Sequence, residues 1–211
     1  MADAAAAFLD AAATAVDLLE RRELAEHWGE DSVLRQFPVA ALAGHLFRGM
    51  ATVGHYLDGP EPSGPGISAA SYFDTVIRSA DVSDAGNEAV RARGAEAAAG
   101  GPAALAGEAR AALERLSSRL AREAPGRRVR VAAGLVMTLD EYLRTRVVEL
   151  AVHADDLAVS VGAELVPPQP GTTAIAIEVL VGVARIRHGD MAVLRALARR
   201  ERDPVEALRV L

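Results

Sequence analysis

Residues 138–161 read TLDEYLRTRVVELAVHADDLAVSV, with no proline or glycine inside and Gly162 immediately after. Thr138 with Glu141 three residues on is an N-terminal capping pattern, and the glycine is a stop signal, so the stretch predicts one long helix. At about 100° per residue, Thr138, Tyr142, Thr145, Arg146, Glu149, His153, Asp156 and Ser160 fall on one stripe. Leu139, Leu143, Val147, Leu150, Leu157 and Val161 flank it on one side; Val148, Val152 and Val159 flank it on the other. Asp140, Arg144, Ala151, Asp155 and Ala158 occupy the back, which is the predicted solvent face. A polar stripe walled by apolar residues on both sides points into a bundle.

An unpaired carboxylate or imidazolium in such a place costs several kcal/mol, so the stripe persists only if its members pair or bind a cation. Glu149 and His153, four residues apart, stack on one face as two ligands from one helix must. Asp156 is placed to accept a hydrogen bond from the second ring nitrogen of His153 and fix its tautomer. Arg146, one turn before Glu149, either pairs with that carboxylate or holds an anionic substrate group. The spacing alone leaves two readings open, a metal site and a buried Arg146-Glu149-His153-Asp156 ion network. Glu23 and His27 repeat the Glu-x-x-x-His spacing at the charged end of the first helix, where a solvated pair is the simpler reading.

A third ligand must come from elsewhere. His27 and His188 fall at helix ends or in loops, and His55 near the end of the second helix. His45 stands beside Leu42 and Leu46, with Gly49, Thr52 and Tyr56 on successive turns below it; Gly49 is read as leaving room for a ligand to enter.

Working outward, helices are predicted from Ala4 to about Ala25, from Pro38 to Leu57, over Ser68–Ser79, Asp84–Ala99 and Ala103–Glu123, and, after the prolines at 167, 168 and 170, over Thr172–Arg187 and Asp190–Arg200. Arg127–Ala133, with only Val129 and Val131 alternating, is taken as linker. The economical architecture is an all-α, up-down four-helix bundle with short accessory helices. Residues 1–165 form the bundle and 166–211 a C-terminal helical extension packed on it.

The composition narrows the chemistry. The chain of 211 residues has no cysteine, so protein ligands to a metal must be nitrogen or oxygen, and any sulfur nucleophile must be brought in. All 23 basic residues are arginine, and the formal net charge of −6 argues against nonspecific nucleic-acid binding. The N-terminal MADAAAAFLD lacks the basic start of a signal peptide and no apolar run is long enough to span a bilayer, so no membrane association and a cytoplasmic location are expected.

SVLRQFPVAALAGHL at 32–46, taken with RVVELAVHADDLA at 146–158, resembles the two signatures of the mycothiol-dependent maleylpyruvate isomerase family, within the DinB-like metal-binding bundles. The resemblance covers roughly the first three-quarters of the chain. It implies a DinB-like four-helix bundle with His45, Glu149 and His153 as metal ligands, and mycothiol as cosubstrate. Two imidazoles and one carboxylate favour zinc over calcium or magnesium and leave a coordination position open. The function so implied is a metal-dependent thiol transferase or isomerase acting on a small electrophile. The alternatives are a metal-water hydrolase and a metal-binding bundle without catalysis. The partners are then a small-molecule thiol and a small electrophile; a homodimer is compatible with the sequence.

Overall fold

The computed structural model describes residues 3–77, 85–198, 208 and 210. Its helices are α1 (Ala4–Leu19), α2 (Arg22–Glu26), α3 (Val39–Asp58), α4 (Ala69–Val76), α5 (Ala85–Ala97), α6 (Pro102–Leu120), α7 (Leu139–Val161), α8 (Pro170–His188) and α9 (Asp190–Ala198). The protein is all-α, as the sequence predicts. The expected helix ends at Ser79 and Arg200 and the start at Asp84 lie outside the described residues.

Four long helices make the bundle, with α1 and α3 each packed against both α6 and α7. Their facing sides bury Phe8, Val16, Leu42, Leu46, Met50, Leu105, Leu143, Leu150 and Leu157 almost completely. Burial of each such side chain contributes about 1.5–3 kcal/mol, so the core holds the fold without crosslinks. α8 lies across α7, α1 and α4, and its Ile175, Ala176, Val179 and Val183 join the same core. The Asp10 carboxylate of α1 accepts from the Gln169 N–H (2.8 Å) and the Thr172 hydroxyl (2.7 Å), which caps α8 from a helix far away in the chain.

Helix α7 begins and ends where the sequence places it. Thr138 Oγ1 accepts the Glu141 N–H at 3.3 Å, and Gly162 takes the left-handed conformation (φ 62°) that closes the C-terminus. Glu141 does not complete the expected capping box; its Oε2 accepts the Ala69 N–H at 2.6 Å and so docks the start of α4 onto α7.

Three expectations are corrected. The first helix is not continuous to Ala25 but breaks at Glu20 and Arg21. On an unbroken helix Leu24 would lie about 140° from Leu19, off the buried face; the break returns it to the core, where it is 1% exposed. The supposed linker contains strand β1 (Arg128–Arg130), paired antiparallel with β2 (Val136–Thr138), a hairpin whose Val129 and Met137 are buried on one side. Two inward residues suffice because the hairpin packs on α3 and α7. Near the end of α7, Val159 is 61% exposed and Ala158 is buried, the reverse of the predicted faces, because α1 and α8 both pack on α7 and turn its Ala154-Leu157-Ala158-Val161 edge inward.

Small residues set the position of α5. A Cβ on Gly44 would collide with the Gly94 carbonyl oxygen, and one on Gly94 with the Ala41 carbonyl oxygen, so α3 and α5 touch backbone to backbone one residue from His45.

Candidate metal centre

His45 projects from α3 and Glu149 and His153 from α7, which pack side by side. One donor atom from each of the three lies within 4.8 Å of the others, the one such His/Cys/Asp/Glu group among the described residues. Glu149 Oε2 sits 3.3 Å from His45 Nε2 and 3.5 Å from His153 Nε2. Charge-assisted N–H···O contacts run to about 2.7–2.9 Å. Bonds of about 2.0–2.1 Å at tetrahedral angles place neighbouring donors roughly 3.3 Å apart, a spacing close to that of these two contacts. The donor set of two imidazole nitrogens and one carboxylate oxygen fits a divalent transition ion by chemistry as well as by geometry.

The surrounding side chains fix these donors. Asp156 Oδ2 lies 3.1 Å from His153 Nδ1 and turns Nε2 toward Glu149. The two imidazole rings meet edge to face with centroids 4.8 Å apart, and Phe37 packs against His45 at 5.8 Å. The loop bearing Phe37 is tied to α7 by the Val33 N–H, which donates to Ser160 Oγ at 3.0 Å, and bends through Gln36 at φ 59°. The three donor side chains retain 18–21% exposure, so the cluster meets solvent on one side.

Below the donors lies a polar column. Tyr142 donates to Thr52 Oγ1 (2.9 Å), whose hydroxyl donates to the Arg48 carbonyl (2.9 Å). Arg146 stacks over the Tyr142 ring at 5.1 Å, and its Nε donates to Thr145 Oγ1 at 3.1 Å. Burial pushes the Tyr142 phenol up to about 12 and raises Tyr72 as well, so both hydroxyls stay protonated.

The electrostatics separate the two imidazoles. Burial holds His45 below the ordinary histidine value despite the nearby Glu149. Burial also penalises the His153 imidazolium, but hydrogen bonds to Asp156 and Glu149 outweigh it and raise His153 to about 9. Glu149 is buried yet held well below the usual carboxylate range by both imidazoles and Arg146.

All five residues singled out in the sequence, His45, Glu149, His153, Asp156 and Arg146, therefore meet in one cluster. The remaining histidines stay outside it. His27 contacts the backbone carbonyl of Glu23 rather than its carboxylate, and His55 and His188 are exposed. Gly49 does not admit a ligand: it is buried, and a Cβ there would meet Leu150 Cδ2 at 3.2 Å, so its role is close packing of α3 on α7. Phe37 and Tyr72 are the members that helical spacing misses. Phe37 immediately precedes the helix-opening Pro38, a position from which an apolar side chain folds back on the helix; nothing in the sequence points to Tyr72, which arrives on α4.

The site and the bundle together define a helical protein able to hold a divalent ion between two of its helices. The sequence model for the mycothiol maleylpyruvate isomerase N-terminal domain matches residues 8–158, and the chain belongs to that family. No curated protein and no solved structure gives a match.

Proposed function

We propose that the protein is a metal-dependent thiol transferase or isomerase that joins a mycothiol-like thiol to a small electrophile, with His45, Glu149 and His153 holding the metal, most simply zinc. The observation that carries this reading is the convergence of two imidazoles and one carboxylate on one point, with a solvent-facing side left for a fourth partner. A divalent ion held there would lower the pKa of a coordinated thiol enough to supply thiolate near neutral pH. Asp156 keeps the His153 ring in register, and burial favours the neutral form of His45, the form a metal ligand needs. Phe37 shields one flank of the cluster from water. Family membership supports the thiol partner, and the absence of cysteine from the chain requires the sulfur to come from outside. No described helix is long and apolar enough to cross a membrane.

The test is metal analysis of anaerobically purified protein, followed by a mass-spectrometric screen for thiol adducts of candidate electrophiles. About one divalent ion per chain and adducts that disappear in His45→Ala are expected. A metal content near zero after metal-supplemented expression, or full activity without any thiol, refutes the proposal.

A further inference from the structure

The two oxygens of Glu149 are not equivalent. Oε2 makes the contacts with both imidazoles, whereas Oε1 makes the contact with Arg146, whose Nη2 stands 3.9 Å from it. Arg146 is itself immobilised: its Nε is bonded to Thr145 Oγ1, its guanidinium lies on the Tyr142 ring, Tyr142 is anchored to Thr52, and the side chain is only 11% exposed. Thr145 is fully buried and its hydroxyl donates to the Tyr142 carbonyl, so the platform is rigid down to the backbone. A guanidinium fixed in this way attracts one carboxylate oxygen and cannot follow the other.

We propose that Arg146 is a positioning residue that keeps Glu149 monodentate, holding Oε1 off the metal so that a coordination position stays open for the incoming thiol sulfur. The inference rests on the metal-binding reading of the three donors. A carboxylate freed from Arg146 rotates to offer both oxygens, fills that position, and competes with the thiol. The sequence allowed Arg146 either to support Glu149 or to hold a substrate anion; its burial, its stacking and its contact with Oε1 favour the first.

The experiment uses cobalt(II) as the bound ion and 2-mercaptoethanol, an uncharged thiol, as the probe, so that loss of the arginine charge does not act on the probe directly. The whole protein should take up one cobalt with the strong visible absorption of a four-coordinate ion and gain a sulfur-to-cobalt charge-transfer band on adding thiol. In Arg146→Gln the cobalt stoichiometry should hold, the visible bands should change in position and intensity as the second carboxylate oxygen replaces solvent, and the thiol dissociation constant should rise about tenfold. Thr145→Val, which preserves volume but removes the Nε acceptor, should move both readings the same way and serves if Arg146→Gln does not fold by circular dichroism. An unchanged visible spectrum and thiol affinity in the variant that folds overturns the proposal alone. Failure of the wild-type protein to bind cobalt overturns the metal reading and this proposal with it.

Discussion

Metal uptake should follow a single proton. A metal ligand must be neutral imidazole, and in the metal-free protein His153 carries its proton up to about pH 9, chiefly because Asp156 and Glu149 outweigh its burial. His45 is held below the ordinary value and Glu149 is ionised, so neither competes with the ion between pH 7 and 9. Apparent affinity should therefore rise about tenfold per pH unit over that interval and level off above about 9. Across the two units from pH 7 this amounts to roughly 3 kcal/mol. The sign for folding is opposite. A raised histidine value stabilises the metal-free fold fully below its unfolded value of about 6.5, and that contribution is lost as pH climbs through about 9. The lowered His45 works the other way, and only below about 6.5, where the unfolded chain gains a proton that the folded one refuses. Competition against a chromophoric chelator from pH 6.5 to 10, with thermal melts of the metal-free protein over the same range, reads both trends. A flat affinity profile between pH 7 and 9 would show that His153 is not protonated at the site, and a slope of two would show that His45 competes as well; either refutes the division of roles between the two imidazoles.

Two further outcomes follow from the geometry. Asp156→Asn should lower metal affinity about ten- to a hundredfold when measured above pH 9, where proton competition is gone, and should move the plateau of the pH profile downward because one of the groups raising His153 is lost; unchanged values in both respects would assign Asp156 elsewhere. Gly94→Ala should cost roughly 1–3 kcal/mol in chemical denaturation by prising α5 off α3, whereas Gly107→Ala, on the exposed face of α6 with nothing within 4 Å of its Cβ, should stabilise by about 0.5–1 kcal/mol, and equal effects of the two would remove the close-contact argument.

The legible parts of the molecule are those in which local chemistry and burial agree. Helix α7 could be read because Thr138 and Gly162 bracket it and its polar stripe is walled on both sides, and the Glu149-His153-Asp156 grouping follows from that one element. His45 could be picked out by its apolar neighbours, since a polar residue beside Leu42 and Leu46 must find partners in the interior. What failed were judgements that depend on which helix lies opposite. Gly49 looks alike in sequence whether it makes room for a ligand or for Leu150, and only the packing of α7 decides. Val159 and Ala158 exchange faces because α1 and α8 both pack on α7 and turn that edge inward. The hairpin escaped notice since a strand of three residues carries too few alternations to stand out, although its partner and its seat on α3 and α7 make it stable. Tyr72 reaches the cluster through Glu141 docking α4, a contact between residues far apart in the chain.

The donors are divided between α3 and α7, with the whole of residues 46–148 between them. During synthesis at about 5–20 residues per second, a nascent chain that has already exposed His45 lacks the other two members of this cluster until α7 has left the ribosome. A lone imidazole binds an ion weakly, so the early chain neither captures metal nor is misdirected by it. This is the reverse of small zinc modules, in which neighbouring ligands bind first and the fold condenses around them. On the proposed metal reading, an ion would meet three side chains already placed by a core of leucine, valine and alanine, and the cell's free-metal pool at the end of folding, rather than the order of translation, would determine which ion is acquired.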